Sequence, residues 1–158
     1  MYKKKSEIID QIQSYHKQVR ELYHKISEKI DNVKIKNLID SLCNIESERI
    51  NYLEKRKKVA EALNCWLDFP DEKLNTQITE CFKRINLDSD ITVGKLIDIE
   101  LHFSDCLIKL YGILSSQNEL NIPKGCEKVS NIFYYMLKDT KEKRCIFCEL
   151  MNGNNTGE

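Results

Sequence analysis

Apolar residues recur in alternating steps of four and three near the start of the chain: Ile8, Ile12, Tyr15, Val19, Leu22 and Ile26. That spacing holds side chains on one stripe of a helix, so a helix is predicted over residues 4–30 with this seam turned inward. Only "DNV" at 31–33 interrupts the pattern before it restarts. So short a connection obliges the second helix to run antiparallel to the first. The second segment, 33–64, carries Ile39, Cys43, Ile50 and Leu53 on one stripe, with Leu38, Leu42, Ile45 and Tyr52 beside it. At about 1.5 Å per residue it is over roughly 40 Å long. "EKRKKVAEAL" reads as its more solvated end.

From 65 to 91 the pattern loosens into a crossover. Asp68 is expected to cap, and Pro70 to open, a short amphipathic helix using Leu74, Ile78, Cys81 and Phe82, closed by "NLDSD". Trp66, the single tryptophan, is expected to anchor this crossover to the helices. A third long helix is predicted over 92–117 from Val93, Leu96, Phe103, Leu107, Leu110 and Leu114. "SSQNELNIP" forms the next hairpin loop. Pro123 opens a fourth helix through Val129, Ile132, Phe133, Met136, Ile146 and Leu150. The expected fold class is all-α: an antiparallel four-helix bundle of two helical hairpins joined by a long crossover containing a short extra helix. The bundle occupies residues 1–150, with the crossover at 65–91 and a disordered tail at 151–158.

Composition agrees with long helices. The 158 residues include 5 Gly and 2 Pro, and 32% are charged. Twenty-five basic residues balance 25 acidic ones, which removes the charge argument for a nucleic-acid or acidic-membrane partner. The basic start "MYKKKSEIID" is followed by no apolar stretch of signal-peptide type, so no signal peptide is expected. No run approaches the roughly 18 apolar residues of a membrane span. The seven cysteines are odd in number. In a helical chain of this kind they are expected to be reduced, in a cytoplasmic protein, and mostly to act as small buried hydrophobes.

Two stretches, "LCNIESERINYL" and "IDIELHFSDCLIKLY", together with the helix order, resemble the second and third helices of the ferritin-like, rubrerythrin-like bundles over roughly residues 4–150. The resemblance implies a mid-bundle di-metal site with a Glu from each of two helices and Glu-x-x-His from each of the other two. Glu46 falls on the stripe Ile39–Cys43–Glu46–Ile50–Leu53, and Glu100 on Val93–Leu96–Glu100–Phe103–Leu107. Both carboxylates therefore face inward, where they are costly unless paired.

The rest of that ligand set departs from the family. Arg49 stands where the histidine would be, and a guanidinium cannot ligate a cation. The fourth helix offers Asp139 and Lys143 on the stripe Ile132–Met136–Asp139–Lys143–Ile146. Glu21 and His24 do make Glu-x-x-His on the first helix, but on its polar face with Lys17, Arg20 and Glu28. The expectation is a degenerate, metal-free site in which Glu46, Arg49, Glu100, Asp139 and Lys143 form a buried polar cluster. Two readings of Arg49 stand: it points inward to pair with carboxylates, or it lies along the bundle with its head at the rim. No residue is assigned a catalytic role and no cofactor is expected. His16, near the seam, His102, Cys145 and Cys148 are the remaining metal candidates.

"KRCIFCEL" sets Cys145 and Cys148 one turn apart. The pair is either two ordinary helix residues, a redox dithiol favoured by Lys143 and Arg144, or half of a zinc site completed by a second chain or by His102 and a distant cysteine. There is no Gly-rich phosphate loop and no placed Ser or Cys nucleophile. Tyr23, Tyr52, Tyr111, Tyr134 and Tyr135 are expected as core or seam residues. Three functions follow as alternatives. The first is a non-enzymatic interaction or assembly module, as a homo-oligomer or with a protein partner. The second is a di-metal oxidase or peroxide-reducing enzyme using Glu46, Glu100, Asp139 and His102 or His16. The third is a thiol or intersubunit-zinc protein using Cys145 and Cys148. His102 lies roughly 200° around the helix from Glu100, so the two cannot both point inward.

Overall fold

A computed structural model of the chain describes residues 2–68, 71–83, 85, 87, 90–117, 119–120 and 131–156. It is mostly helical, and its contacts divide it into two compact units. The first contains residues 1–68 and 118–129, the second 69–117 and 130–158.

In the first unit a short strand β1 (Tyr2–Lys4) leads into helix α1 (Lys5–Glu28), which is followed by α2 (Val33–Leu63). Glu7 in the first turn and Lys25 in the last complement the helix dipole of α1. The Asn32 side chain accepts a hydrogen bond from the Ile35 amide at 3.1 Å and so starts α2. The two helices are antiparallel: Asp10, Gln13, His16 and His24 of α1 meet Lys57, Glu54, Glu46 and Cys43 of α2 in turn. Ile8, Ile9, Ile12, Tyr15, Val19, Tyr23 and Ile26 are the buried face of α1. Leu22 is only half-buried and Tyr23 takes the inward place expected for it. On α2 the buried face includes Ile39, Leu42, Cys43, Ile50 and Leu53. Each such aliphatic contributes about 1.5–3 kcal/mol, whereas an exposed pair such as Lys57–Asp10, at 3.2 Å, contributes about 0–1. Apolar burial therefore holds this hairpin.

Asn64 ends α2 in the left-handed conformation, φ 52°, which a short polar side chain tolerates better than most. The chain then enters β2 (Trp66–Asp68), the middle strand of an antiparallel three-stranded sheet, order β1-β2-β3, with β3 at Glu119–Leu120. Tyr2 pairs with Asp68, Lys4 with Trp66, and Trp66 with Leu120. The Lys5 amide donates to the Cys65 carbonyl at 2.8 Å, and the Lys4 ammonium lies 5.8 Å from the Trp66 ring centroid. The chain is mostly helical as expected, and this small sheet is an addition to the all-α expectation. Asp68 belongs to a strand instead of capping a helix, and Trp66 is held by strand pairing. Cys65 is disulfide-bonded, against the expectation of reduced thiols throughout, and its partner lies outside the described residues.

In the second unit α3 (Asp71–Lys83) precedes α4 (Val93–Ser115) and α5 (Ile132–Thr156). Among the described side chains of α3, Leu74 and Cys81 are buried, while Ile78 and Phe82 are half-buried. Thr92 caps α4 by accepting from the Lys95 amide at 3.1 Å. α4 and α5 are antiparallel, since Asp105 meets Arg144 while Tyr111 stacks on Phe133. Pro123 and Val129, expected at the start of the last helix, and Pro70 lie outside the described residues. Helix α5 continues to Thr156, past residue 151 where a disordered tail was expected.

The buried face of α5 also differs from the expected stripe. Ile132, Phe133, Met136, Thr140 and Phe147 are buried, whereas Ile146 is 55% and Leu150 48% exposed. The Thr140 hydroxyl donates back to the Met136 carbonyl at 2.7 Å, which satisfies it without solvent. A polar residue is thus admitted to the inner face, and the stripe shifts by one position. Tyr23 and Tyr111 are buried and Tyr52 is half-buried, but Tyr134 and Tyr135 of α5 are exposed, not core.

Candidate functional site

Burial of charge marks the first cluster, in the α1/α2 hairpin. Glu46 is 1% exposed, Arg49 3% and His16 0%. Arg49 follows Glu46 by three positions, so helical geometry brings it to the same face. Its Nη1 donates to Glu46 Oε1 at 2.9 Å. From α1, His16 Nδ1 donates to Glu46 Oε2 at 2.5 Å. A carboxylate acceptor fixes the proton on Nδ1. Both Glu46 oxygens thus hold a donor from a different residue. Burial is the largest single influence on the Glu46 carboxyl and acts to raise its pKa. The charges and hydrogen bonds of His16 and Arg49 outweigh it, and the group titrates below the ordinary carboxylate range. Arg49 points inward, so the rim reading of this residue is set aside.

Around this triad, Gln13 is 2% exposed and its amide donates to the Ile50 carbonyl at 3.2 Å and to Glu54 at 2.8 Å. Arg20 donates to the Ser47 hydroxyl at 3.0 Å. Cys43, a turn before Glu46, has its thiol pKa pushed up to about 11 by burial, then by Asp40. It is the inert kind of buried cysteine. Glu21 and His24 are exposed, as their helical phase predicts.

The other members of the expected cluster lie in the second unit. Glu100 is buried on α4 at 2% exposure. Asp139 and Lys143 bond each other at 2.6 Å, but they are 20% and 27% exposed and belong to the margin of α5. They are not interior charges, because the inner face of α5 runs through Met136 and Thr140. Cys145 is exposed, and the half-buried Cys148 accepts from Arg144 Nη1 at 3.3 Å. Arg144 is held in turn by Asp105 at 2.5 Å, which raises the guanidinium's already high pKa. Among the described residues no three His, Cys, Asp or Glu side chains are grouped so as to hold a metal ion. His16 is committed to Glu46, and His102, Cys145 and Cys148 join no such group.

A second cluster was not anticipated. Cys81 of α3 and His102 and Cys106 of α4 come together. His102 Nε2 donates to the Cys81 carbonyl at 2.7 Å and lies 3.9 Å from the Cys106 sulfur. Cys106 is four residues beyond His102, hence on the same face. Its thiol pKa is lowered to about 7, first by a hydrogen bond from the Cys81 thiol and then by the His102 and Lys109 charges, against burial and Asp105. The sequence signal available was the i,i+4 pair His102/Cys106; nothing local pointed to Cys81. No helix among the described residues is long and apolar enough to cross a membrane. The chain matches no family model, no curated protein and no solved structure.

Proposed function

We propose that this chain is a metal-free bundle of ferritin-like type that works as a non-enzymatic interaction or assembly module. The observation that carries the reading is the closure of Glu46 by His16 and Arg49, at 2.5 and 2.9 Å. In a di-metal bundle an interior carboxylate is balanced by cations that its oxygens ligate. Here a guanidinium and an imidazole N–H occupy both oxygens, and a fixed positive charge beside them repels a divalent ion. The second unit supplies its own antiparallel helix pair, with Glu100 buried on α4.

An assembly role is supported by α5, where Tyr135, Ile146 and Leu150 are exposed by 51, 55 and 48%. At about 100° per residue these three fall within roughly 60° of helix circumference. A second copy of the chain or a protein partner is the expected occupant of that stripe. The cytoplasm is the proposed location: five cysteines among the described residues are thiols, which suits a reducing compartment, while the Cys65 disulfide is the observation that runs against it.

Elemental analysis of protein purified without chelator tests the reading. Iron, manganese and zinc well below one per chain are expected, before and after incubation with ferrous iron. About two iron or manganese ions per chain would overturn it in favour of the oxidase alternative.

A further inference from the structure

The assembly reading leaves Cys81, His102 and Cys106 without a role, and their arrangement is independent of it. Two cysteines from different helices meet at one imidazole, whose Nε2 lies 2.7 Å from the Cys81 carbonyl and 3.9 Å from the Cys106 sulfur, and the Cys81 thiol is the first influence on the Cys106 thiol. Cys81 is 8% exposed whereas Cys106 is half-buried, so only Cys106 meets a small solute. Because the Cys81 carbonyl can only accept, it fixes the proton on His102 Nε2, the nitrogen nearest Cys106.

We infer that Cys106 and Cys81 form a peroxide-responsive thiol pair, with Cys106 attacking, Cys81 resolving, and His102 positioning the attacking sulfur. The Cys106 thiolate attacks one oxygen of a hydroperoxide. An S–O bond forms, the O–O bond breaks, and the alcohol or water leaves with a proton. Cys106 is oxidised to the sulfenic acid and the peroxide is reduced. The Cys81 sulfur then displaces that oxygen. The S–S bond forms, the S–O bond breaks, and water leaves with the Cys81 proton. In sum, two thiols and one hydroperoxide give one disulfide, one alcohol or water, and one water. The lowered thiol pKa of Cys106, about 7, supports a thiolate at neutral pH.

Cys145, exposed, and Cys148 are the competing thiols in the same unit, and the experiment separates them. The reduced full-length protein is treated with a small excess of hydrogen peroxide, blocked with an alkylating agent and mapped by mass spectrometry without reduction. A peptide pair joined through Cys81 and Cys106, two mass units lighter than its reduced parts, is expected. Cys81→Ser is expected to leave a sulfenic acid at Cys106 that a cyclic dione captures, and Cys106→Ser to abolish both products. His102→Gln is expected to slow the oxidation several-fold and move its pH midpoint upward, while the near-ultraviolet dichroism stays unchanged. Thiol loss confined to Cys145 and Cys148, with Cys81 and Cys106 still alkylated, would overturn the inference. So would unaltered kinetics in His102→Gln, as far as the imidazole is concerned.

Discussion

His16 Nδ1 and Glu46 Oε2 stand 2.5 Å apart, joining α1 to α2 across 30 residues with no solvent exposure worth counting on either side. A carboxylate in that setting persists only because Arg49 supplies a charge and His16 a second donor. Removing one partner leaves the others buried and unbalanced. That asymmetry gives the first prediction.

Glu46→Gln is expected to destabilise the protein by about 3–5 kcal/mol, since it leaves the Arg49 guanidinium buried beside a neutral amide. Urea unfolding reads this as a midpoint lower by about 1 M or more. Replacing the whole triad by His16→Leu, Glu46→Met and Arg49→Leu is expected to recover most of the loss, because no buried charge remains. A midpoint shift below about 0.3 M in Glu46→Gln would mean the triad is solvated in solution.

Acid should act through the same residue. Glu46 titrates below its unfolded value of about 4.3 in the folded chain. Its contribution is therefore complete above that unfolded value and is lost as the pH falls through the lower, folded one. Stability measured from pH 6 downward should fall more steeply in the parent protein than in Glu46→Gln once the pH passes below about 4. Parallel acid limbs would assign the acid sensitivity to other carboxylates.

Thiol chemistry should sort the cysteines by environment. With its pKa at about 7, Cys106 should react with iodoacetamide already at neutral pH, its rate levelling off a little above that value. Cys43, raised to about 11, should stay unmodified in the folded protein until strongly alkaline pH. Site-resolved mass spectrometry over pH 6–9 checks both, and equal rates at the two sites would contradict the difference in their surroundings.

The exposed stripe of α5 makes a prediction about association. Ile146→Glu combined with Leu150→Glu should lower the molar mass seen by light scattering from that of an oligomer to that of one chain. Both side chains are largely solvent-exposed, so thermal stability of the monomer should change by less than about 0.5 kcal/mol. An unchanged mass would overturn α5 as the proposed association surface.

Local spacing along the chain was enough to place α1, α2, α4 and part of α5, because a helix buries one stripe whose period is written in consecutive residues. The same phase argument put Glu46 and Glu100 on inner faces, and both are buried. It exposed Glu21 and His24 for the same reason. Strands of two or three residues, such as Trp66–Asp68, are too short to carry a period and exist through pairing with distant chain. On α5 two neighbouring stripes competed, and the one that turns inward keeps Asp139 and Lys143 at the margin, its single polar member Thr140 being satisfied by the Met136 carbonyl.

Partnerships between helices belong to the tertiary structure. His16 meets Glu46 30 positions away, and His102 meets Cys81 21 positions away. Helical phase states which way each side chain faces. Which helix it faces, and at what register along that helix, depends on packing between segments that local periodicity does not encode. The buried carboxylate was therefore legible in the sequence, while its imidazole partner and the Cys81–Cys106 pair emerged only when the helices were packed.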